Sequence, residues 1–172
     1  MTLARLVGYE RYKGIDEILE VMPSLLADDP SFTYLILGDG DDQQRLMAKA
    51  AALGVKDNVV FTGLVDEVEK ADYLRLADVF ALPGRGEGFG IVYLEAMACG
   101  VPMIGSELDG SREALRDGQL GELVNPNGPA SIKQGILRAA AKSGGVPQGL
   151  TYFSWSSFRE RIRIAVNPFL LS

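Results

Sequence analysis

The run Leu82-Pro83-Gly84-Arg85-Gly86-Glu87-Gly88-Phe89-Gly90-Ile91-Val92-Tyr93-Leu94-Glu95-Ala96-Met97-Ala98-Cys99-Gly100 falls into three pieces. The apolar residues 79–82, stopped by Pro83, read as a buried strand. Gly84, Gly86, Gly88 and Gly90 then alternate through a loop whose backbone can approach a ligand closely. From Gly90 onward Ile91, Leu94, Glu95, Met97 and Ala98 fall at helical spacing, and Gly100 followed by Pro102 ends the helix. Strand, glycine-rich loop and helix N-terminus in this order offer free N–H groups and the positive end of a helix dipole to an anion. Glu87 and Glu95 bracket that place, and each carboxylate can accept from paired hydroxyls. Amides for phosphate and carboxylates for diols describe a sugar nucleotide. Spacing alone leaves open a plain tight turn, with Glu87 complementing the dipole and Glu95 on a solvated helix face.

Composition narrows the rest. The chain has 172 residues, 47% hydrophobic and 23% charged, which suits one globular α/β domain able to bury a core. A net charge of −6 argues against nucleic acid as a partner, so an anionic ligand must be held by local amides and a few cations. Cys99 is the single cysteine and histidine is absent, which excludes a disulfide framework, Ser-His-Asp chemistry and the usual zinc sites; no metal site is expected. Cys99 reads as core filling behind the helix, without the cationic neighbours of a reactive thiol. No secretory leader and no apolar stretch of about 18 residues is seen, so the expected location is cytoplasmic.

Outward from the central stretch, strands and helices alternate. Residues 3–8 form an apolar run interrupted by Arg5, so near the start that an upstream segment is expected to have been removed. A polar loop over 9–14 leads to a helix over 15–26, in which Pro23 predicts a kink and 28–30 the end. Residues 32–37 read as a central parallel strand, 46–53 as a helix capped by Gly54, 59–61 as a strand and 67–77 as a short helix. Beyond the central block come a strand at 101–105, a short helix at 113–116, a strand at 121–124 and a helix over 131–142. Residues 143–149 form a flexible spacer, a final helix runs over 154–166, Asn167-Pro168 stops it, and Phe169-Leu170-Leu171 is an apolar tail. Strands alternating with helices at about twenty-residue spacing predict right-handed parallel βαβ units. The fold class is therefore α/β, a doubly wound Rossmann-like parallel sheet of about six strands in a single domain over 1–172.

Two further motifs divide. Gly38-Asp39-Gly40 begins like a dinucleotide fingerprint, but Gln43 stands at the third glycine position and acids at 39, 41 and 42 would repel a pyrophosphate. A turn with an acidic N-cap on the next helix is the favoured reading. Arg5, in an apolar run, needs a partner, and Lys13-Gly14 enters a helix where a phosphate-binding lysine is plausible. Composition alone reads both cations as solvated.

The block E-G-F-G-I-V-Y-L-E-A-M-A-C-G-V-P resembles the E-x(7)-E signature of retaining glycosyltransferases of the GT-B architecture, closest to the large group called family four. R-L-V-G-Y-E-R-Y-K-G resembles the same family's opening, N-V-V-F-T-G its strand before the nucleobase loop, and Asp109-Gly110-Ser111-Arg112-Glu113 its glycine turn preceding an acid; Gly38-Asp39-Gly40 matches its structural turn. The resemblance spans Arg5 to about Val166. It implies the C-terminal, donor-binding half of a GT-B enzyme. Arg5 and Lys13 would hold the donor diphosphate, as two cations stabilising a leaving group without a metal. The amides at Gly88, Phe89, Gly90 and Ile91 would assist, Glu87 would contact sugar hydroxyls, Glu95 would hold the ribose, and Gly63 and Leu64 would lie near the base.

The activity implied by this resemblance is hexosyl transfer, with retention and with no cofactor, from a GDP- or UDP-sugar to a glycan or lipid-linked acceptor. GDP-mannose or a UDP-hexose in exopolysaccharide, lipopolysaccharide or glycolipid assembly is favoured by the E-R-Y-K-G opening. For the full-length protein the resemblance allows peripheral association with the inner face of a membrane. The family's acceptor-binding N-terminal domain, with its histidine, is not in this sequence, so the chain reads as a fragment that binds donor and turns over poorly or not at all. The final helix would cross to that missing domain. Gly84-Arg85-Gly86 replaces the family's frequent Pro-Ser. Rival readings are a non-catalytic nucleotide-sugar module and an NAD-dependent oxidoreductase; Val7-Gly8-Tyr9-Glu10 lacks the fingerprint that the latter requires.

Overall fold

The structure, a computed structural model, describes residues 1–170. Six short strands are each followed by helical segments: β1 (Thr2–Leu3), α1 (Ile15–Asp28), β2 (Tyr34–Leu37), α2 (Gln43–Ala52), β3 (Val59–Phe61), α3 (Lys70–Arg75), β4 (Phe80–Leu82), α4 (Ile91–Ala98), β5 (Met103–Ser106), α5 (Ser111–Ala114), β6 (Glu122–Val124), α6 (Pro129–Ala140) and α7 (Trp155–Leu170). Every strand pair is parallel. The strands form two three-stranded sheets, β1-β2-β3 and β4-β5-β6, instead of one ladder. The two meet at β1 and β4, where the Ala81 amide donates to Met1 O at 2.8 Å and buried Thr2 Oγ1 donates to Ala81 O at 2.5 Å. Two residues of β1 are too few to complete a ladder with β4. The spatial order is nevertheless 3-2-1-4-5-6, the doubly wound arrangement.

Alternation along the strands builds a core on each face, because successive side chains point to opposite sides. Phe80 and Leu82 join Met103, Tyr93, Met97 and Leu115 under α4 and α5, while Ala81 and Ile104 point the other way to Ile18, Leu19, Ile132 and Ile136 of α1 and α6. Pro23, where the sequence predicts a kink, lies inside α1 facing solvent, while Met22 and Leu25 beside it are buried, and the helix ends at Asp28 as the sequence predicts.

Other departures from the sequence reading have local causes. Residues 4–7 leave the strand, since the Leu6 amide bonds Asp39 O and Leu6 O takes the Asp42 amide, so they follow the Gly38-Asp39-Gly40 turn. The expected polar loop at 9–14 is a 3-10 helix over Gly8–Lys13. The helix expected at 113–116 is Ser111–Ala114, because Arg116 and Asp117 adopt left-handed φ of 47° and 53°. The helix expected over 67–77 shortens to Lys70–Arg75 behind a turn built on Asp66 O. Asp42 precedes α2 but makes no side-chain cap; Arg45 engages its carboxylate instead. The spacer gives way to a 3-10 helix at Gln148–Phe153, and α7 passes Asn167-Pro168 to Leu170, proline's fixed φ being itself helical. Of the expected tail, Leu171 lies outside the described residues. Among the described residues no helix is long and apolar enough to cross a membrane.

Candidate functional site

Reversal of strand order between β1 and β4 opens a crevice at their carboxyl ends, where doubly wound sheets bind ligands. Two loops form its walls, residues 4–14 from β1 to α1 and residues 83–90 from β4 to α4. They are in direct contact: the Arg85 amide donates to Tyr12 O at 2.7 Å, and the Tyr12 ring lies against Gly86. All the residues expected to hold diphosphate and sugar therefore share one place.

The first wall carries the cations. Gly8 is tied to the turn after β2 through Asp41 Oδ1 at 2.9 Å. Within the 3-10 helix Glu10 is buried, its side chain only 5% exposed, and it faces both expected cations. Arg5 Nη2 bonds Glu10 Oε1, and Lys13 Nζ lies 3.8 Å from Glu10 Oε2. Glu10 was not singled out by the sequence reading, though it stands inside the quoted E-R-Y-K-G and is the one acid there with basic residues five before and three after. Behind this wall Arg45 forks between Asp16 and Asp42, with bonds of 2.6–2.7 Å, and Lys49 also bonds Asp16 at 2.7 Å. That network joins the first turns of α1 and α2 and fixes the loop from below.

The second wall carries the acids. Asp109 accepts the Glu87 amide at 3.0 Å, the Ser111 amide at 3.0 Å and the Ser111 hydroxyl at 2.5 Å, while the Gly110 amide donates to Glu87 O at 2.8 Å. The loop is thus clamped to the segment after β5 at Glu87. The amides of Gly88, Phe89, Gly90 and Ile91 have no acceptor among the described residues. Gly90 and Ile91 are orphan donors of the start of α4, and Gly88 and Phe89 are loop amides just before it. Gly90 sits at φ 82°, and a Cβ there would come within 2.5 Å of the Tyr93 ring, so no larger residue fits. Tyr93 in turn donates to Leu82 O at 2.7 Å; burial pushes its hydroxyl far above the usual range, and it stays a donor. Phe89 offers its amide alone, because its ring packs edge-on against Phe153, 5.6 Å between centroids.

Glu95 lies one turn beyond Ile91 on the same helix face, partly exposed, and takes a 2.7 Å bond from Lys70 Nζ, which also bonds Glu67. Hydrogen bonds from Lys70 to Glu67 and Glu95 raise its pKa, so the ammonium is fully charged at neutral pH. Nothing in the sequence marks Lys70, whose partner is 25 positions away, and Asp109 is marked only as part of the glycine turn of the resemblance, not as a site residue. Gly63 and Leu64 follow β3 at the outer side of the crevice. The Gly63 carbonyl is taken by the Gly38 amide at 2.9 Å and by the Thr62 hydroxyl at 3.0 Å; the Leu64 side chain is 82% exposed. Among the described residues neither is hydrogen-bonded to Glu87 or Glu95. Helix α3 reaches α4 through Lys70 on Glu95, through the Ala71 carbonyl facing Cys99 Sγ at 3.8 Å, and through Leu74 packed with Tyr93 and Met97.

Arg85, the departure from the family pattern, points away from the crevice. It bonds Glu17 of α1, Asn127 Oδ1 at 2.8 Å and Pro126 O at 2.9 Å, tying the glycine loop to the segment after β6. A cavity of about 510 Å³ opens at the opposite ends of the strands, lined by Met22, Leu25, Tyr34, Val79 and Ile136. Its charged lining groups are the Met1 N-terminus, Asp29 and Asp78; Arg5, Lys13, Glu87 and Glu95 are not among its lining residues. Among the described residues no three His, Cys, Asp or Glu side chains gather as a metal-holding group.

The sequence profile of a family described as glycosyl transferases group 1 matches residues 5–144, which include both walls. The chain belongs to that family. A phosphatidyl-myo-inositol mannosyltransferase of Mycobacterium tuberculosis (strain ATCC 25618 / H37Rv) is 37% identical over 158 residues, covering 83% of this chain and 39% of that protein. A GDP-mannose-dependent alpha-(1-6)-phosphatidylinositol monomannoside mannosyltransferase of Mycolicibacterium smegmatis is 39% identical over 120 residues, covering 66% and 31%. This glycosyltransferase group 1 chain thus spans 31–39% of the length of those relatives. Among solved structures, a lipopolysaccharide outer core galactosyltransferase in its apo form superposes with a TM-score of 0.77 at 21% identity, over 97% of this chain and 48% of that one. That likeness concerns the fold: the Rossmann-like C-terminal domain of a GT-B glycosyltransferase.

Proposed function

We propose that this chain is the donor-binding domain of a retaining, metal-independent glycosyltransferase that moves a hexose from a nucleoside diphosphate sugar to a glycan or lipid-linked acceptor. The observation that carries the reading is the meeting of the two walls: Arg5 and Lys13 on one, the free amides of 88–91 with Glu87 and Glu95 on the other. Amides and two cations suit a diphosphate, and the cations can stabilise its developing charge when the glycosidic bond breaks. Glu87 suits sugar hydroxyls and Glu95 the ribose diol, with Gly63 and Leu64 bordering the base. The acceptor and the facing half of the cleft belong to a further, N-terminal domain in this reading, and the work is done in the cytoplasm or at the inner face of a membrane. Support for a GDP-sugar, mannose in particular, comes from relatives whose names specify mannosyl transfer and, in one case, GDP-mannose.

Thermal melts of this chain with UDP, GDP, ADP, their sugars and NAD, each without metal, test the proposal. A ligand at a hundred times its dissociation constant adds about 2.7 kcal/mol. The expected result is stabilisation by one nucleoside diphosphate and its sugar, lost in Glu95→Ala. Stabilisation by NAD alone, or by none of these, counts against it.

A further inference from the structure

Lys13 stands between two carboxylates and is tightly bound to neither. Its Nζ is 3.3 Å from Glu87 Oε2 and 3.8 Å from Glu10 Oε2, whereas a charge-assisted N–H···O bond closes to about 2.7–2.9 Å. All three side chains are largely withdrawn from water, at 16%, 20% and 5% exposure. Glu10 Oε2 is buried with no hydrogen-bond partner, while Oε1 is held by Arg5. A buried carboxylate oxygen left without a donor is costly. The ammonium that could satisfy it is drawn off toward Glu87.

Resting on the donor-binding reading above, we infer that the Lys13–Glu87 pair is an internal counter-ion that makes sugar recognition conditional on a diphosphate. While Lys13 Nζ donates to Glu87 Oε2 at 3.3 Å, that oxygen is engaged by the first wall. A diphosphate seated on the amides of 88–91 brings more negative charge than the single carboxylate and takes Lys13 from it. The lysine stem is flexible enough to swing, and Glu10, fixed by Arg5, keeps the ammonium within the crevice and gains the donor it lacks. Glu87 is then free to accept from sugar hydroxyls with both oxygens. A free sugar, or one carried on a monophosphate that does not reach Lys13, meets an occupied Glu87. Glu87 and Lys13 thus set specificity as a pair.

Metal-free calorimetry on the folded chain tests this with the nucleoside diphosphate that the wild type binds, its monophosphate and its sugar. Glu87→Gln, with an unchanged melting temperature, is expected to bind the diphosphate about two- to fivefold tighter than wild type, because the competing anion is gone. Its affinity for the monophosphate is unchanged, and the extra affinity contributed by the sugar falls. In a Lys13→Met background the same substitution has no effect on diphosphate affinity, which isolates the pair. If Glu87→Gln binds the diphosphate no tighter than wild type, or gains equally in the Lys13→Met background, the inference is overturned and the donor-domain reading stands. If the wild type binds no nucleoside diphosphate, both fall.

Discussion

Gly14 and Pro83 touch backbone to backbone across the crevice: a Cβ on Gly14 would overlap Pro83 O. Gly14 also holds φ at 86°, between the 3-10 helix that carries Lys13 and the first turn of α1. One residue therefore closes the first wall onto the second. Gly14→Ala meets both a strained φ and a carbonyl belonging to strand-end backbone, which cannot rotate away. The expected loss is about 2–4 kcal/mol of stability, with nucleotide binding lost in what remains folded. Urea titration with and without the diphosphate measures it; a loss below about 0.5 kcal/mol would show that the loops separate more easily than their contact indicates.

Lys70 orients Glu95, and its removal has an effect beyond packing. Lys70→Met leaves α3 its length and apolar stem but takes away the 2.7 Å donor on Glu95 Oε1. Diphosphate affinity is expected to fall about three- to tenfold. The preference for ribose over 2′-deoxyribose nucleotides should narrow with it, and Lys70→Arg should restore part of both. An unchanged ribose preference would separate Lys70 from the ribose contact.

Local chemistry made much of this legible in the sequence. Strands β2, β3 and β4, the glycine loop and the start of α4 follow from short apolar runs, Pro83 and Gly90, whose effects act within a few residues. Glu87 and Glu95 are picked out by their place around the glycine loop and helix start, and Lys13 by resemblance; the structure sets Lys13 Nζ 3.3 Å from Glu87, while Glu95 is bonded to Lys70. Glu10, Lys70 and Asp109 were not legible as site residues. Asp109 and Lys70 act through partners that only the crossovers bring near, the Glu87 amide from 22 positions away and Glu95 from 25, whereas Glu10 has local partners, Arg5 and Lys13, and is marked only by its burial. No apolar period marks residues 8–13, so the sequence predicts a loop there, whereas in the fold the Asp41 bond to the Gly8 amide and the Arg5–Glu10 pair tie down the 3-10 helix Gly8–Lys13.

Arg85 is expected to matter for the stability of the loop and not for ligand charge. Its guanidinium spans Glu17, Asn127 and the Pro126 carbonyl, so one side chain links α1, the glycine loop and the segment after β6. Arg85→Ala should cost about 1–2 kcal/mol in urea unfolding. Diphosphate affinity should change less than twofold, whereas a phosphate-binding arginine would show a much larger loss and a steeper salt dependence.

Asp16 gives the fold a defined acid sensitivity. Burial alone would raise its carboxyl, but the hydrogen bonds and charges of Arg45 and Lys49 outweigh that and hold it at about 2, below the ordinary 3.8. Because the folded value is the lower one, the unfolded chain binds the extra proton first as pH falls. The stabilisation is therefore complete above 3.8, declines as pH drops toward 2, and is gone below it. Asp16→Asn should cost about 1–2 kcal/mol at neutral pH, with its partners Arg45 and Lys49 retained. The gap between wild type and variant, followed by urea titration across this window, should close on the acid side. A gap that is constant with pH would mean that Asp16 contributes by packing, and that the charge network beneath the first wall adds nothing to folding.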